Sequence, residues 1–173
     1  MKNLSSHFFC IMGAIGLLPF SILFAEPESG KVTVAVGEVQ VIAKAGDAPV
    51  AVKAGDKIAI GSTLKTGAGA RAVVVITARS AIRIAENSEV LVEKVDETVK
   101  PAKVTVDLKE GSLAALLKPN AAGELDFQVR TPSGVAAARG TFFSVAVKDG
   151  KGFAQVKEGK VDIIPAATEK KEN

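Results

Sequence analysis

Apolar and polar residues alternate at every second position along most of this chain. The clearest runs are residues 104–108 and 125–129, in which valine, leucine or phenylalanine stands at every other position. Successive side chains of a strand point to opposite faces, so such runs place one face on a core and the other in water. No segment carries a sustained helical stripe. The pattern predicts an all-β chain.

Glycine-centred turn signals separate these runs at short intervals. Strands divided by turns every 8–12 residues or so are typical of sandwiches, barrels and rolled sheets rather than of alternating β and α units. The predicted fold class is therefore all-β, a single domain of many short strands arranged as a sandwich or as a rolled, solenoid-like sheet. The turn glycines are Gly37, Gly46, Gly55, Gly67, Gly111, Gly134, Gly150 and Gly159.

Several segments carry more specific expectations. Residues 71–78 are apolar on both faces and predict a central strand covered on both sides. Residues 113–117 are ambiguous, because leucine and alanine favour helices yet the segment lies between strands. Residues 93–103 predict a long surface loop. Lys-Ala-Gly-Asp at 44–47 and again at 53–56 predicts two similar hairpin turns, in preference to a functional repeat.

The N-terminus has the order of an export signal. Lys2 precedes an apolar run at residues 8–24, and small Ala25 precedes polar Glu26. We expect a signal peptide at residues 1–25 that is cleaved after Ala25, a β-domain at 26–165 and a disordered tail at 166–173. The rival is a retained anchor, since the run approaches the roughly 17–25 residues that span a bilayer. Cleavage predicts a periplasmic or secreted protein with no membrane span.

Composition excludes much chemistry from the remainder of the chain. The single histidine, His7, and the single cysteine, Cys10, both lie in the predicted signal, and the chain has no tryptophan or tyrosine. Disulfides and histidine-based catalysis are thereby excluded, and metals are left with oxygen ligands alone, without a calcium-loop spacing. Loss of Lys2 lowers the formal net charge of +3 by one, which gives no electrostatic case for nucleic acid. We expect no enzyme activity, no metal and no cofactor.

An ordered set of motifs resembles the FecR-domain family. The set begins with Gly55-Asp56, Gly61 and Thr66-Gly67, continues with Thr131-Pro132 and Arg139-Gly140-Thr141, and ends at Gly159. The resemblance runs from about Lys31 to Ile163, and the Thr-Pro and Arg-Gly-Thr elements carry most of its weight. We interpret these motif residues as structural, with Gly140 permitting a close approach and Arg139 free to pair within the domain or to meet a partner.

The chain departs from the family pattern in two respects. The family usually has Asp-Gly-Ser where this chain has Ala78-Arg79-Ser80, so we expect a wider connection there. FecR itself spans the membrane and controls a sigma factor through a cytoplasmic segment, which we do not expect here because nothing before the predicted signal peptide could form it. The resemblance therefore implies an exported β-domain and not an anti-sigma role.

Two functions follow from these observations. The preferred one is a non-enzymatic binding or assembly module of the periplasm or cell envelope, which engages a protein partner through an exposed edge strand. The alternative is recognition or weak hydrolysis of cell-wall carbohydrate. Hydrolysis needs two carboxylic acids at a set separation, but the alternation puts Asp107 and Asp126 on solvated faces, and no tryptophan or tyrosine is present to stack on sugars.

Overall fold

A computed structural model describes residues 28–118, 125–139, 142–158 and 160–165. These residues form strands and turns and contain no helix, which confirms the predicted all-β class. The strands are β1 (Glu28–Val36), β2 (Val39–Ile42), β3 (Val50–Ala51), β4 (Lys57–Ala59), β5 (Thr63–Thr66), β6 (Arg71–Thr77), β7 (Ser80–Ile84), β8 (Ser88–Asp96), β9 (Ala102–Leu117), β10 (Leu125–Thr131), β11 (Gly134–Ala138), β12 (Phe142–Lys148), β13 (Lys151–Glu158) and β14 (Val161–Pro165).

The fourteen strands form one curled sheet, and the 16-residue strand β9 belongs to both of its halves. Half-sheet I has the order β4-β1-β6-β7-β9-β12-β13 and uses the C-terminal part of β9. Half-sheet II has the order β3-β2-β5-β8-β9-β10-β11-β14 and uses the N-terminal part. The neighbours are antiparallel except β9 and β10, which run parallel from Ala102 opposite Leu125.

Gly111 lies where β9 passes from one half-sheet to the other. Its φ of 84° is in the left-handed region, which favours glycine. A side chain there would collide with Ser88 and with the carbonyl oxygen of Asn87. The Ser88 hydroxyl instead accepts a hydrogen bond from the Ser112 amide at 3.0 Å. The Glu110-Gly111 turn signal is therefore a bend within one strand rather than a connection between two.

The core lies between the inner faces of the two half-sheets. Phe127 of β10 and Phe143 of β12 are both fully buried, and their rings meet edge to face with centroids 6.2 Å apart. Alternate residues of β8, β9 and β10 are buried as the sequence pattern predicts. The inward phase that the alternation of residues 125–129 predicts for Phe127 is confirmed.

The structure gives the outcome of two predictions, one for residues 71–78 and one for residues 113–117. Strand β6 is central, between β1 and β7, but Val75 is 37% exposed. The prediction of double cover is wrong, because nothing in the described chain packs on the outer face of half-sheet I. The ambiguous residues 113–117 are strand, since β9 pairs there with β7 and β12.

Two predicted connections are shorter than expected. Strand β8 continues to Asp96, opposite Lys103 of β9, so the predicted loop at 93–103 shrinks to residues 97–101. The expected wide connection at Ala78-Arg79 is wrong, since those two residues alone join β6 to β7. The Thr77 hydroxyl closes this turn by accepting a hydrogen bond from the Arg79 amide at 3.2 Å and by contacting the Ser80 hydroxyl at 2.8 Å.

The predicted signal peptide and tail lie outside the described residues. Within the described part of the chain, no helix has the length and apolar character needed to cross a bilayer.

Candidate functional site

The motif at Gly55-Asp56 shapes a turn and fastens it to β1. The Asp56 carboxylate accepts a hydrogen bond from the Lys53 amide at 2.9 Å, and the Asp47 carboxylate binds the Lys44 amide in the same way at 3.1 Å. The two Lys-Ala-Gly-Asp copies therefore make the same turn. The first joins the paired strands β2 and β3, which confirms the predicted hairpin. The second connects β3 to β4 in the other half-sheet, so the prediction of a hairpin is wrong there. The Gly55 amide and the Asp56 carbonyl both bond to the backbone of buried Val32 at 2.8 Å.

The motif at Gly61 and Thr66-Gly67 ties β5 to β8. The buried Thr66 hydroxyl donates to the Ala85 carbonyl at 2.5 Å and accepts from the Ser88 amide at 3.0 Å. The Gly61 amide donates to the Val92 carbonyl at 2.8 Å. Gly67 lies against the Glu38 side chain, which a Cβ would approach to 3.0 Å. These contacts hold β5 and β8 together.

The Thr131-Pro132 motif lies where β10 ends, and Pro132 and Ser133 form the two-residue turn between β10 and β11. Thr131 and Gly134 are paired across it, and the Thr131 hydroxyl donates to the Gly134 carbonyl at 2.9 Å. The next residue, Ser133, accepts a hydrogen bond from the Gly152 amide of β13 at 2.6 Å. This contact joins the β10–β11 hairpin of half-sheet II to the β12–β13 hairpin of half-sheet I.

Gly152 is a contact residue that the sequence analysis does not single out. A Cβ there would come within 2.6 Å of the Ser133 hydroxyl and 2.7 Å of the Thr131 hydroxyl. The available signal is an isolated glycine inside a strand, which indicates a close backbone approach. Arg139 is exposed at the end of β11, while Gly140, Thr141 and Gly159 lie outside the described residues.

The two half-sheets part at one end of the sandwich, between β13 and β14. Within the described chain, β13 pairs only with β12, and β14 pairs only with β11. Ile163 of β14 stands opposite buried Ala136 and so belongs to the inner face, yet it is 64% exposed. Val156 of β13 stands opposite buried Phe143 and is 41% exposed. Both apolar side chains face a core that no further strand covers.

A cleft of about 350 Å³ occupies this open end. The cleft is lined mainly by apolar residues, with Ser133 and Lys151 at its polar part. Its apolar lining includes Val135, Ala136, Val145, Phe153, Ile163 and Pro165. Each of the two strands beside this apolar cleft has one unpaired edge. Such an edge can accept an extended segment of another chain, because it presents free backbone donors and acceptors.

A second, polar depression of about 600 Å³ lies on the outer face of half-sheet II. It is lined by charged and amide side chains, among which Gln128 donates to the Asp126 carboxylate at 3.3 Å. The remaining polar lining comes from Arg139, Lys160 and Asp162, and none of its described lining residues is aromatic.

The electrostatic features of the described residues lie away from the open end. The Lys65 ammonium, hydrogen-bonded to Glu89 at 2.9 Å, together with Lys109, lowers the pKa of the Glu89 carboxyl. The Thr98 hydroxyl and amide lower the pKa of the Asp96 carboxyl. No cluster of three or more acidic, histidine or cysteine side chains that could hold a metal occurs in the described part of the chain.

Comparison with known proteins identifies the family. The family model described as FecR protein matches residues 62–162, which is more than half of the 173-residue chain. Searches of curated proteins and of solved structures each found no match. The matched segment runs from the residue before β5 to the second residue of β14, so it contains the bend in β9 and ends one residue before Ile163. On this match, the chain belongs to the FecR family.

Proposed function

We propose that this protein is a non-enzymatic binding module of the periplasm or cell envelope, and that it engages a protein partner at the open end of the sandwich. The observation that carries the proposal is the uncovered inner face of β14, where Ile163 is 64% exposed although it is in register with buried Ala136. The order of Lys2, the apolar run and Ala25 supports export.

The proposed mode of binding is strand addition at β13 or β14. An extended partner segment would form backbone hydrogen bonds with the free edge, and its alternate apolar side chains would fill the cleft beside Ile163 and Ala154. Strand addition needs no reactive side chain, which agrees with a described chain free of histidine and cysteine.

The test compares capture by two edge-strand variants. The exported protein, carrying an affinity tag, is crosslinked in its host and purified, and captured proteins are quantified by mass spectrometry. Ile163→Asp places a charge in the cleft, and we expect it to reduce capture of the specific partner at least tenfold. Val50→Asp is the matched control, because Val50 is 62% exposed on the edge strand β3, away from the cleft. Melting curves establish that both variants are folded.

If the wild type and Ile163→Asp captured equal amounts of partner, the open end would not be the binding site.

The polar depression beside Asp126, Gln128 and Arg139 favours a second candidate, recognition of cell-wall carbohydrate, because its side chains can hydrogen-bond sugar hydroxyls. Cosedimentation with peptidoglycan, compared between wild type and Gln128→Ala, measures this activity. Tight polysaccharide binding without protein capture would replace the first proposal by the second.

A further inference from the structure

The outer face of half-sheet I carries basic side chains and, among its described side chains, no acidic one. Cross-strand register and exposure define this surface, which we call the basic face. Its basic residues come from six strands and are all exposed: Lys31, Lys57, Arg71, Arg83, Lys148, Lys151 and Lys157. The acidic residue Asp149 lies beside it, in the turn between β12 and β13.

Two pairs of lysines stand directly opposite each other on this face. Lys31 of β1 is in register with Lys57 of β4, and Lys148 of β12 is in register with Lys151 of β13. Like charges directly opposite on neighbouring strands destabilise a sheet. The two pairs lie toward opposite edges of half-sheet I, with β1 and β12 separated by four strand spacings, or roughly 20 Å.

Half-sheet II shows the reverse arrangement on its outer face. Lys65 is in register with Glu89 and bonded to it at 2.9 Å. Lys103 is in register with Asp126. Arg130 of the same face binds Glu93 at 2.7 Å. These charges of half-sheet II therefore have oppositely charged neighbours within the protein, whereas the described contacts include no ion pair for Lys31, Arg71, Arg83, Lys148 or Lys151.

Apolar side chains project between the basic groups. Leu116 is 48% exposed, and Phe153 is 59% exposed. Leu116 is in register with Phe142, whose ring lies 5.4 Å below the Lys157 ammonium. The centre of the face is built from small side chains, among them Ala81, Ala114, Ser144 and Ala146. A broad surface with distributed positive charge and a few projecting apolar groups matches the chemistry of an anionic bilayer surface.

From this charge pattern we infer that the basic face docks on the anionic headgroup surface of a lipid bilayer. Anionic headgroups would neutralise Lys31 and Lys148, which lie too far apart for a single compact carboxylate cluster to reach both at once. Leu116 and Phe153 would enter the interface between headgroups and acyl chains. The surface is distinct from the open-end cleft, except that Lys151 and Phe153 border both.

Vesicle sedimentation of the exported protein tests the inference. One set of vesicles contains phosphatidylcholine alone, and the other contains phosphatidylcholine and phosphatidylglycerol at a ratio of about 3:1. Binding to each set is measured at NaCl concentrations of about 0.05, 0.15 and 0.5 M. We expect binding to the anionic vesicles only, weakened about tenfold or more at the highest salt, because salt screens exposed charges over a shorter distance. Lys31→Glu combined with Lys148→Glu should reduce binding at least tenfold.

The matched control is Lys53→Glu combined with Lys100→Glu. These exposed lysines lie in connections outside the basic face, and the change in net charge is identical, so binding should stay within about twofold of wild type. An environment-sensitive dye on Leu116→Cys should shift its emission to the blue with anionic vesicles, while the same dye on Val50→Cys should not. The described chain has no cysteine of its own to interfere.

Three results would overturn the inference. The first is equal binding to neutral and anionic vesicles, which would also be the signature of a retained apolar run. The second is a loss of binding in the control pair as large as in Lys31→Glu with Lys148→Glu. The third is absence of vesicle binding together with a dimer in solution that these two substitutions dissociate, which would assign the face to a second copy of the chain. None of these results bears on partner capture at Ile163.

Discussion

At the scale of single residues, Phe127 and Phe143 are the largest fully buried side chains, and each comes from a different half-sheet. Phe143→Ala removes the edge-to-face contact and leaves a cavity, so we expect the free energy of unfolding to fall by about 3–5 kcal/mol. Urea unfolding measures the change. Val50→Ala, at a site 62% exposed, should change stability by no more than about 0.5 kcal/mol. A similarly small loss for Phe143→Ala would contradict the described core.

Glu89 gives a prediction for pH dependence. Its lysine partners lower the pKa of the folded carboxyl below the ordinary value of 4.5. A lowered folded pKa stabilises the protein above the unfolded pKa, and this stability is lost as the pH falls through the folded pKa. We expect Glu89→Gln to lower stability at pH 7 by roughly 1 kcal/mol at most, since its lysine partners are largely exposed.

The difference between wild type and Glu89→Gln should therefore shrink below about pH 4.5. Denaturant unfolding between pH 7 and pH 3 measures it, with Glu97→Gln in the exposed loop after β8 as the control. A difference that stayed constant or grew toward acid pH would show that these ion pairs contribute nothing.

At the scale of elements, β9 is the strand on which the two half-sheets depend. Its bend at Gly111 combines a left-handed φ with contact against Ser88 and Asn87. Gly111→Ala should lower the free energy of unfolding by about 2–5 kcal/mol, the sum of the left-handed backbone cost and of crowding. Gly69→Ala separates the two contributions, because Gly69 has a φ of 66° but open space around its Cβ position.

We expect Gly69→Ala to cost about 1–2 kcal/mol, and thermal unfolding of both variants measures the difference. If Gly111→Ala lost no more stability than Gly69→Ala, close packing at the bend would not contribute. The pair thus separates a conformational requirement for glycine from a steric one.

At the scale of the whole molecule, processing of the predicted export signal determines the residue at which the mature protein begins. Because a basic start, an apolar run and a small residue occur in the order of a signal peptide, we expect the mature protein to begin at Glu26. Intact-mass measurement of the exported protein checks this prediction. A mass that includes residues 1–25 would instead identify the run as a retained anchor.

The whole molecule is also asymmetric in its surfaces. Half-sheet II pairs its charges across neighbouring strands, half-sheet I presents a basic face, and one end of the sandwich is open. The small net charge does not indicate this arrangement. It adds together opposite charges that lie on different faces, although each face has its own local charge. The net charge of the chain therefore gives only the average over its surfaces and does not indicate the basic face.

The strands and the inward phase of Phe127 and Phe143 were predictable from the sequence, because alternation in a strand is a local property that burial of one face enforces. The Lys-Ala-Gly-Asp turns were predictable for the same reason, since Asp47 and Asp56 bond to amides three residues away. The bend at Gly111, the exposed outer face of β6 and the contact of Gly152 with Ser133 were decided by the tertiary structure. Each depends on which strand, distant in the sequence, becomes a neighbour in the sheet. The same pairing determines whether an apolar residue such as Ile163 is buried in the core or lies in an open cleft.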